Sequence, residues 1–321
     1  MGWLAFDNVE EALQDTKDIL LPFDLRVWTL FAVIILLTGH FTLGFPSMPF
    51  PGDLGTGSDW DDGTTSQTSV PETSIQNPLT DNLGVNNFVG EATQSASFGP
   101  LFLLLLVLVS GLILFLIYIT SVFEFVMYRS VKEKEPKIGY YREYLTEGLQ
   151  FMTFNIGMAL LMLLTIIVAA LPVAVILWSL IVVVPVVIII FVILAGFNWL
   201  ALNIALPEMV YNDKNIIEGL NKSLEVLRTD TREVLLFWLM KFVIGLVIGI
   251  GVLTGVVLGL LILAVPFIIV GFLLALVVPW LAIPVGIIYV IIVIGLLLYI
   301  AVPVRVYLYS YTLNMYEDLV Q

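Results

Sequence analysis

The sequence predicts an all-α integral membrane protein with about six transmembrane helices and cytosolic amphipathic surface helices. The first reason is composition: 60% of the 321 residues are hydrophobic and only 12% are charged. A soluble domain could not bury that much apolar surface, so lipid must cover part of it. The second reason is spacing, because apolar runs of about 20 residues, the length of one span, alternate with shorter polar segments.

The N-terminal segment, residues 1–26, is predicted to be a cytosolic amphipathic helix that ends at Pro22. Its apolar residues recur at helical spacing, with acidic residues on the opposite face: Phe6, Val9, Leu13 and Leu20. We expect it to lie on the membrane surface or against the body of the protein. The first transmembrane helix follows over residues 27–45, with Trp28 as an interfacial anchor.

Residues 46–99 differ sharply from the rest of the chain. They are rich in Gly, Ser, Thr, Pro, Asn and Asp and contain no Lys or Arg. Such a segment buries too little apolar surface to fold, so it is predicted to be a disordered acidic extracellular loop. Its Asp59, Asp61 and Asp62 resemble the start of a calcium loop, but the glycine spacing and the closing glutamate do not fit. We therefore expect a solvated loop, with no metal and no cofactor.

Residues 100–312 are predicted to form a five-helix transmembrane region, with cytosolic connectors at 126–149 and 198–232 and a cytosolic tail at 313–321. The five spans are expected at about 100–125, 151–171, 173–197, 231–262 and 285–312. Two surface helices are expected before spans, at 132–149 and 212–229.

The apolar stretch from Val234 to Val304 divides least clearly. Prolines and a tryptophan cluster within residues 264–284. We expect a re-entrant or interfacial piece there, and a seventh span is the alternative. Glu147-Gly148-Leu149 and Glu218-Gly219-Leu220 hint at a duplicated hairpin.

Charge sets the predicted orientation. Under the six-span interpretation, all 13 Lys and Arg residues fall on one side of the membrane or just inside it, and none lies in the acidic loop. This positive-inside pattern places both termini in the cytoplasm and the protein in the cell membrane.

Composition also excludes several functions. The chain has no cysteine and one histidine, His40, so thiolate chemistry, a paired-histidine zinc site and a catalytic triad are not expected. The net charge of −13 argues against nucleic acid as a partner. It would suit a salt-rich habitat, such as that of halophilic archaea.

Five polar residues fall inside apolar runs and are the candidate site: Glu124, Asn155, Asn203, Lys241 and Arg305. Charges at that depth are costly and usually pair or face water. One hypothesis is a polar vestibule with a Glu124–Lys241 pair. The other is that Lys241 and Arg305 snorkel to the interface and Glu124 marks a helix end.

Glycines recur every four residues in the fifth span. Gly251, Gly255 and Gly259 form one face, and Gly245 and Gly249 form another pair. This spacing lets helices approach closely in lipid. We expect the first face to pack against span six or three, with a homodimer contact as the alternative.

Two stretches resemble known families. LLPFDLRVW, residues 20–28, resembles uncharacterised multipass proteins from haloarchaea. ALPEMVYNDKNIIEGLNKSLEVLR, residues 205–228, is similar to the membrane domain found beside glycerophosphodiester phosphodiesterases. The shared positions would be Pro207, Glu208, Gly219, Ser223 and Arg228. The catalytic domain of those enzymes is absent, so the resemblance implies a helical membrane protein without catalysis of its own.

The sequence therefore favours a non-enzymatic multipass protein that organises or assists other membrane components through its cytosolic connectors. A small transporter or channel for a solute or lipid is the alternative. The expected partners are membrane lipids and other membrane proteins.

Overall fold

A computed structural model describes residues 4–39, 100–175, 180–277, 280 and 282–320, and this part of the chain is helical without any strand. The chain divides into two compact units, residues 1–51 with 116–321 and residues 52–115. The predicted loop 46–99 and His40 lie outside the described residues.

The N-terminal helices α1 (Leu4–Leu20) and α2 (Leu25–Leu37) are bent by 118° at the break between them. Asp24 caps α2, since its carboxylate accepts a 2.8 Å hydrogen bond from the backbone N–H of Arg26. α2 lies largely within the predicted first span, whose residues 40–45 are outside the described part. The span itself stays a prediction.

Helix α1 packs against the last two helices with a face that overlaps only in part with the predicted one. Its buried positions are Ala5, Asn8, Ala12, Thr16, Ile19 and Leu20. Of the predicted apolar face, Leu20 is buried and Val9 is half-buried, whereas Phe6 and Leu13 are 53% and 46% exposed. The small side chain of Ala5 lets α1 lie close to α9, where the Tyr311 hydroxyl donates 3.0 Å to the carbonyl of Ala5.

Helix α3 (Pro100–Lys132) is followed by a short 3₁₀ turn (Ile138–Arg142) and by α4 (Leu145–Val175). The surface helix predicted at 132–149 is therefore wrong. Only residues 133–144 remain between α3 and α4, and Pro136 has no backbone N–H with which to continue a helix.

Helix α5 (Leu180–Leu200) continues through a π-helical segment (Ala201–Ala205) into α6 (Leu206–Asn212). Residues 198–212, which the prediction assigned to a connector, thus continue this helix, and the cytosolic location of the connector stays a prediction. Pro207 accounts for the π segment, because it has no N–H for the carbonyl of Asn203 and its ring clashes with a regular turn. The predicted amphipathic helix at 212–229 is confirmed as α7 (Ile216–Thr229).

The last two helices are α8 (Thr231–Val277) and α9 (Ala282–Val320). They form a long antiparallel hairpin in which Phe267 packs on Tyr289 with ring centroids 5.3 Å apart. The re-entrant piece predicted at 264–284 is wrong, since α8 runs unbroken through Pro266 to Val277. An interrupted helix in lipid would leave backbone groups without partners, so the helix accommodates the proline instead.

Five of these helices are long and apolar enough to cross a membrane, and the bent α1–α2 pair would make a sixth. The predicted fold class, an all-α multipass membrane protein, is confirmed. α8 has 47 residues, or ~70 Å at 1.5 Å per residue, more than twice the ~30 Å of a hydrocarbon core. Part of it must therefore pack outside the lipid.

The helices α5, α8 and α9 each have one buried and one exposed part. In α9, Val302, Val306, Tyr311 and Met315 are fully buried, whereas Ile283 and Ile291 are 64% and 63% exposed. The exposed parts are uniformly apolar, as lipid-facing surface must be. The buried ends form the core, which is also where polar side chains collect.

Candidate functional site

Lys241 joins three elements at the buried end of the helices. Its ammonium donates hydrogen bonds to Asn203 Oδ1 on the π segment and to Thr312 Oγ1 on α9, the latter at 2.6 Å. The Thr312 hydroxyl can accept because its own proton goes to the carbonyl of Leu308 at 2.7 Å. The lysine is thus held inside the protein.

The π segment supplies this cluster with acceptors. Asn203 uses both ends of its amide, because its Nδ2 donates 2.7 Å to the carbonyl of Trp199. The Tyr128 hydroxyl on α3 donates 2.8 Å to the carbonyl of Leu202. A wide turn leaves carbonyls available to side chains, so the turn at Pro207 links α3, α5 and α8.

Two further charges lie beside Lys241. Glu124 is 5% exposed and accepts a 2.6 Å hydrogen bond from the Tyr309 hydroxyl. Arg305 is 8% exposed, and the charges of Glu124 and Arg305 both act on Lys241. The Lys241 cluster consists of Glu124, Tyr128, Asn203, Lys241, Arg305, Tyr309 and Thr312.

The structure brings four of the five predicted site residues to the Lys241 cluster and leaves one out. Asn155, half-buried on α4, makes no hydrogen bond with the described residues. The ammonium of Lys241 turns inward to Asn203 and Thr312 rather than outward to the interface. The vestibule role predicted for these residues stays a prediction.

A second buried carboxylate was not among the predicted intramembrane candidates. Glu208 on α6 is 1% exposed, and it accepts hydrogen bonds from Lys214 Nζ at 2.5 Å and from the Tyr316 hydroxyl. The bond to Glu208 raises the pKa of Lys214. The sequence pattern did not indicate that Glu208 is buried, because it lies in a polar stretch where an acidic side chain is expected to be exposed. Only the family resemblance singled it out.

The resemblance residues Glu208, Gly219 and Ser223 are buried together, whereas Arg228 is exposed. A Cβ on Gly219 would lie 2.9 Å from the carbonyl oxygen of Ala205, so only glycine allows α7 to approach the π segment this closely. Ser223 completes the contact by donating 2.8 Å to the carbonyl of Gly219.

The sequence match between Gly148 and Gly219 has a counterpart in their packing. A Cβ on Gly148 would lie 2.4 Å from Val122 Cγ2 on α3. Both glycines therefore sit where the start of a helix crosses the end of the preceding span. This shared role is consistent with the predicted duplication.

The predicted glycine packing face is wrong within the described residues. Gly251, Gly255 and Gly259 have nothing within 4 Å of an added Cβ. A different face of α8 is buried, and it includes Gly245, Gly249 and Val256. The second glycine pair is thus buried while the first face is open, and a homodimer contact through the first face stays a hypothesis.

Comparison with known proteins identifies a family for this chain. The model of a family of unknown function, DUF7544, matches residues 3–321. The chain belongs to this family. No curated protein and no solved structure matches it. Because DUF7544 carries no described activity, the function must be argued from the geometry above.

Proposed function

We propose that this member of DUF7544 is a non-enzymatic membrane protein that organises or assists other membrane components, with its polar connectors as the docking surface. In this proposal the termini and connectors face the cytoplasm and the acidic loop faces outward, in the cell membrane. The kinship with the membrane domain beside glycerophosphodiester phosphodiesterases, and a salt-rich archaeal habitat, belong to the same proposal.

One observation carries the proposal: the polar groups deep in the helices bind one another. Lys241 has two hydrogen-bond acceptors, and Glu124 and Glu208 each accept a tyrosine hydroxyl. Buried polar groups satisfied in this way stabilise a fixed arrangement of helices. Two clefts among the described residues are lined by apolar side chains instead.

The connector helix α7 offers the outward surface that docking requires. Its inner face is pinned by Gly219, Ser223 and Val226. Its outer face is exposed and mixes an apolar side chain with both signs of charge: Ile217, Glu218, Asn221, Glu225 and Arg228. Ile217, which is 69% exposed, is the apolar position on this face.

Site-specific photocrosslinking in native membranes tests this proposal. A photoreactive residue at Ile217 should capture a discrete protein, and Glu218→Lys with Glu225→Lys should abolish that product without loss of folded chain. The matched control is Leu261, which is 61% exposed on α8 and should capture lipid. A crosslinked product at Ile217 that consists of lipid alone would contradict the docking role.

The alternative function is transport of a solute or lipid. The concentration of Glu124, Lys241 and Arg305 inside the helices favours it, because intramembrane charges commonly mark ion or substrate paths. Purified chain in proteoliposomes should show no solute flux if the docking proposal holds. A flux that Lys241→Glu abolishes while the protein stays folded would replace docking by transport.

A further inference from the structure

An apolar cleft of about 410 Å³ lies where α2 meets the α8–α9 hairpin. Its walls include Trp28, Val252, Leu296, Tyr299, Ile300 and Pro303. This volume is in the range of small-molecule sites, and no residue of the Lys241 cluster lines the cleft. Its position on three helices of the membrane region makes hydrocarbon its natural content.

The cleft has a rigid wall. The Trp28 ring stacks on Tyr299 with centroids 6.3 Å apart, and its indole N–H donates 3.2 Å to the carbonyl of Leu20. The Tyr299 hydroxyl shares a 2.9 Å hydrogen bond with Thr29. Pro303 leaves the carbonyl of Tyr299, beside the cleft, without its usual helical N–H.

Trp28, in the wall of the cleft, lies beside residues suited to the headgroup level of a membrane. Leu21, Phe23 and Leu25 are 58%, 60% and 62% exposed in the bend between α1 and α2. The Phe23 ring lies 5.1 Å from that of Trp28. Exposed apolar residues next to a tryptophan are typical of an interfacial anchor.

The guanidinium of Arg26 lies next to these exposed apolar residues in sequence. Arg26 is exposed in the first turn of α2, and its guanidinium makes no ion pair or hydrogen bond with the described residues. It lies three residues before Thr29, which places the two on one helix face. Thr29 contacts the tyrosine that lines the cleft.

We propose that this cleft binds one chain of an anionic membrane phospholipid, with the lipid phosphate at Arg26. The apolar walls accept the hydrocarbon, and the guanidinium matches a phosphate in charge and in hydrogen-bonding geometry. This site is independent of the proposed docking function, because none of its residues lies in the connector helix α7.

Native mass spectrometry of the purified, delipidated chain tests the site, with phosphatidylglycerol and phosphatidylcholine of the same chains as probes. We expect one retained lipid and about a five-fold preference for phosphatidylglycerol, the ratio that about 1 kcal/mol per basic residue gives. Arg26→Gln should remove the preference and keep chain binding, while Arg26→Lys should keep part of it.

A variant with a filled cleft should retain neither phosphatidylglycerol nor phosphatidylcholine. Val252→Trp fills the cleft most fully, and Leu296→Phe is a milder substitution for use if Val252→Trp does not fold. Ile291→Trp adds the same side chain at a 63% exposed position on α9 and should leave binding intact. An unchanged preference in Arg26→Gln, or unchanged retention in a folded cleft-filled variant, would overturn the proposal. A dimer that Val252→Trp dissociates without changing bound lipid would also overturn it.

Discussion

Lys241 is the side chain on which the contact between the π segment, α8 and α9 depends. Its ammonium is the donor to Asn203 and Thr312, and the charges of Glu124 and Arg305 act on it. A buried charge with several partners is costly to remove, because the partners then lose their hydrogen bonds while remaining buried.

Lys241→Met should lower the free energy of unfolding by about 1–3 kcal/mol, the cost of leaving a buried partner unsatisfied. The measurement is reversible unfolding in mixed detergent micelles. Lys137→Met, at an exposed lysine that pairs with Glu135 and lies over the Tyr140 ring, should stay within about 0.5 kcal/mol. Lys241→Met and Asn203→Leu should be non-additive when combined, since they remove one contact; strict additivity would refute that contact.

Tyr316→Phe isolates the hydroxyl that binds Glu208. Because Glu208 is almost fully buried, loss of this donor should destabilise the protein by about 1–3 kcal/mol. Tyr307→Phe on the same helix is the matched control, because the Tyr307 hydroxyl makes no hydrogen bond with the described residues. Equal thermal unfolding of the two variants would argue against a stabilising role for the Tyr316–Glu208 bond.

The pairing of Lys214 with Glu208 has a defined pH dependence. The pKa of Lys214 is raised in the folded protein by its hydrogen bond to Glu208, so the pair's contribution is complete below the ordinary lysine pKa and is lost as pH rises through the raised one. The stability difference between wild type and Lys214→Met should thus be constant at neutral pH and shrink in strong base. A difference that grows with rising pH in chemical unfolding experiments would contradict this sign.

Among the helices, the crossing points are determined by single glycines. Gly219 touches the carbonyl of Ala205 and Gly148 touches Val122 on α3, whereas the regularly spaced Gly251 faces open space. The sequence favoured Gly251 as a packing position, because a four-residue glycine repeat indicates close helix packing in lipid. The repeat does not show which face of the helix meets a neighbour.

Gly219→Ala and Gly148→Ala should each destabilise the chain by about 1–3 kcal/mol, the usual cost of overpacking. Gly251→Ala should be neutral or slightly stabilising, because the added methyl group meets nothing and alanine favours helix. Thermal unfolding in one detergent compares all three. If Gly251→Ala instead lowered an oligomeric state in solution, the glycine face would be a contact between copies.

For the chain as a whole, charge placement remains the argument for orientation. All Lys and Arg residues lie on one side of the membrane, or just inside it, under the six-span interpretation. The chain has no native cysteine, so single substituted cysteines can report topology without background.

Lys137→Cys and Ile217→Cys should react with a membrane-impermeant maleimide only after the cells are permeabilised. Ser66→Cys in the acidic loop should react in intact cells, because a positive-inside protein places that loop outside. Leu261→Cys, on the apolar part of α8, is the unreactive control in both conditions. Reaction of Ile217→Cys in intact cells would invert the proposed topology.

Much of the architecture follows from composition and periodicity. The helical membrane class, the location of the apolar spans, the start of α8 at Thr231 and the connector helix α7 are all readable, because lipid demands long apolar helices and a helix shows its period locally. Four of the five polar residues chosen from their depth do meet in one cluster, since a buried charge requires a partner.

The sequence did not predict how segments that are distant along the chain pack against one another. Which face of α1 is buried, which glycines lie at crossings, and the partnership of Glu208 with Tyr316 all depend on residues up to three hundred positions apart. The π segment illustrates the reason. Pro207 predicts an irregular helical turn, but the sequence does not show that Tyr128, Lys241 and Gly219 contact the carbonyls and side chains of that turn. Local chemistry predicts that a helix exists, and the contacts it makes decide what its polar residues do.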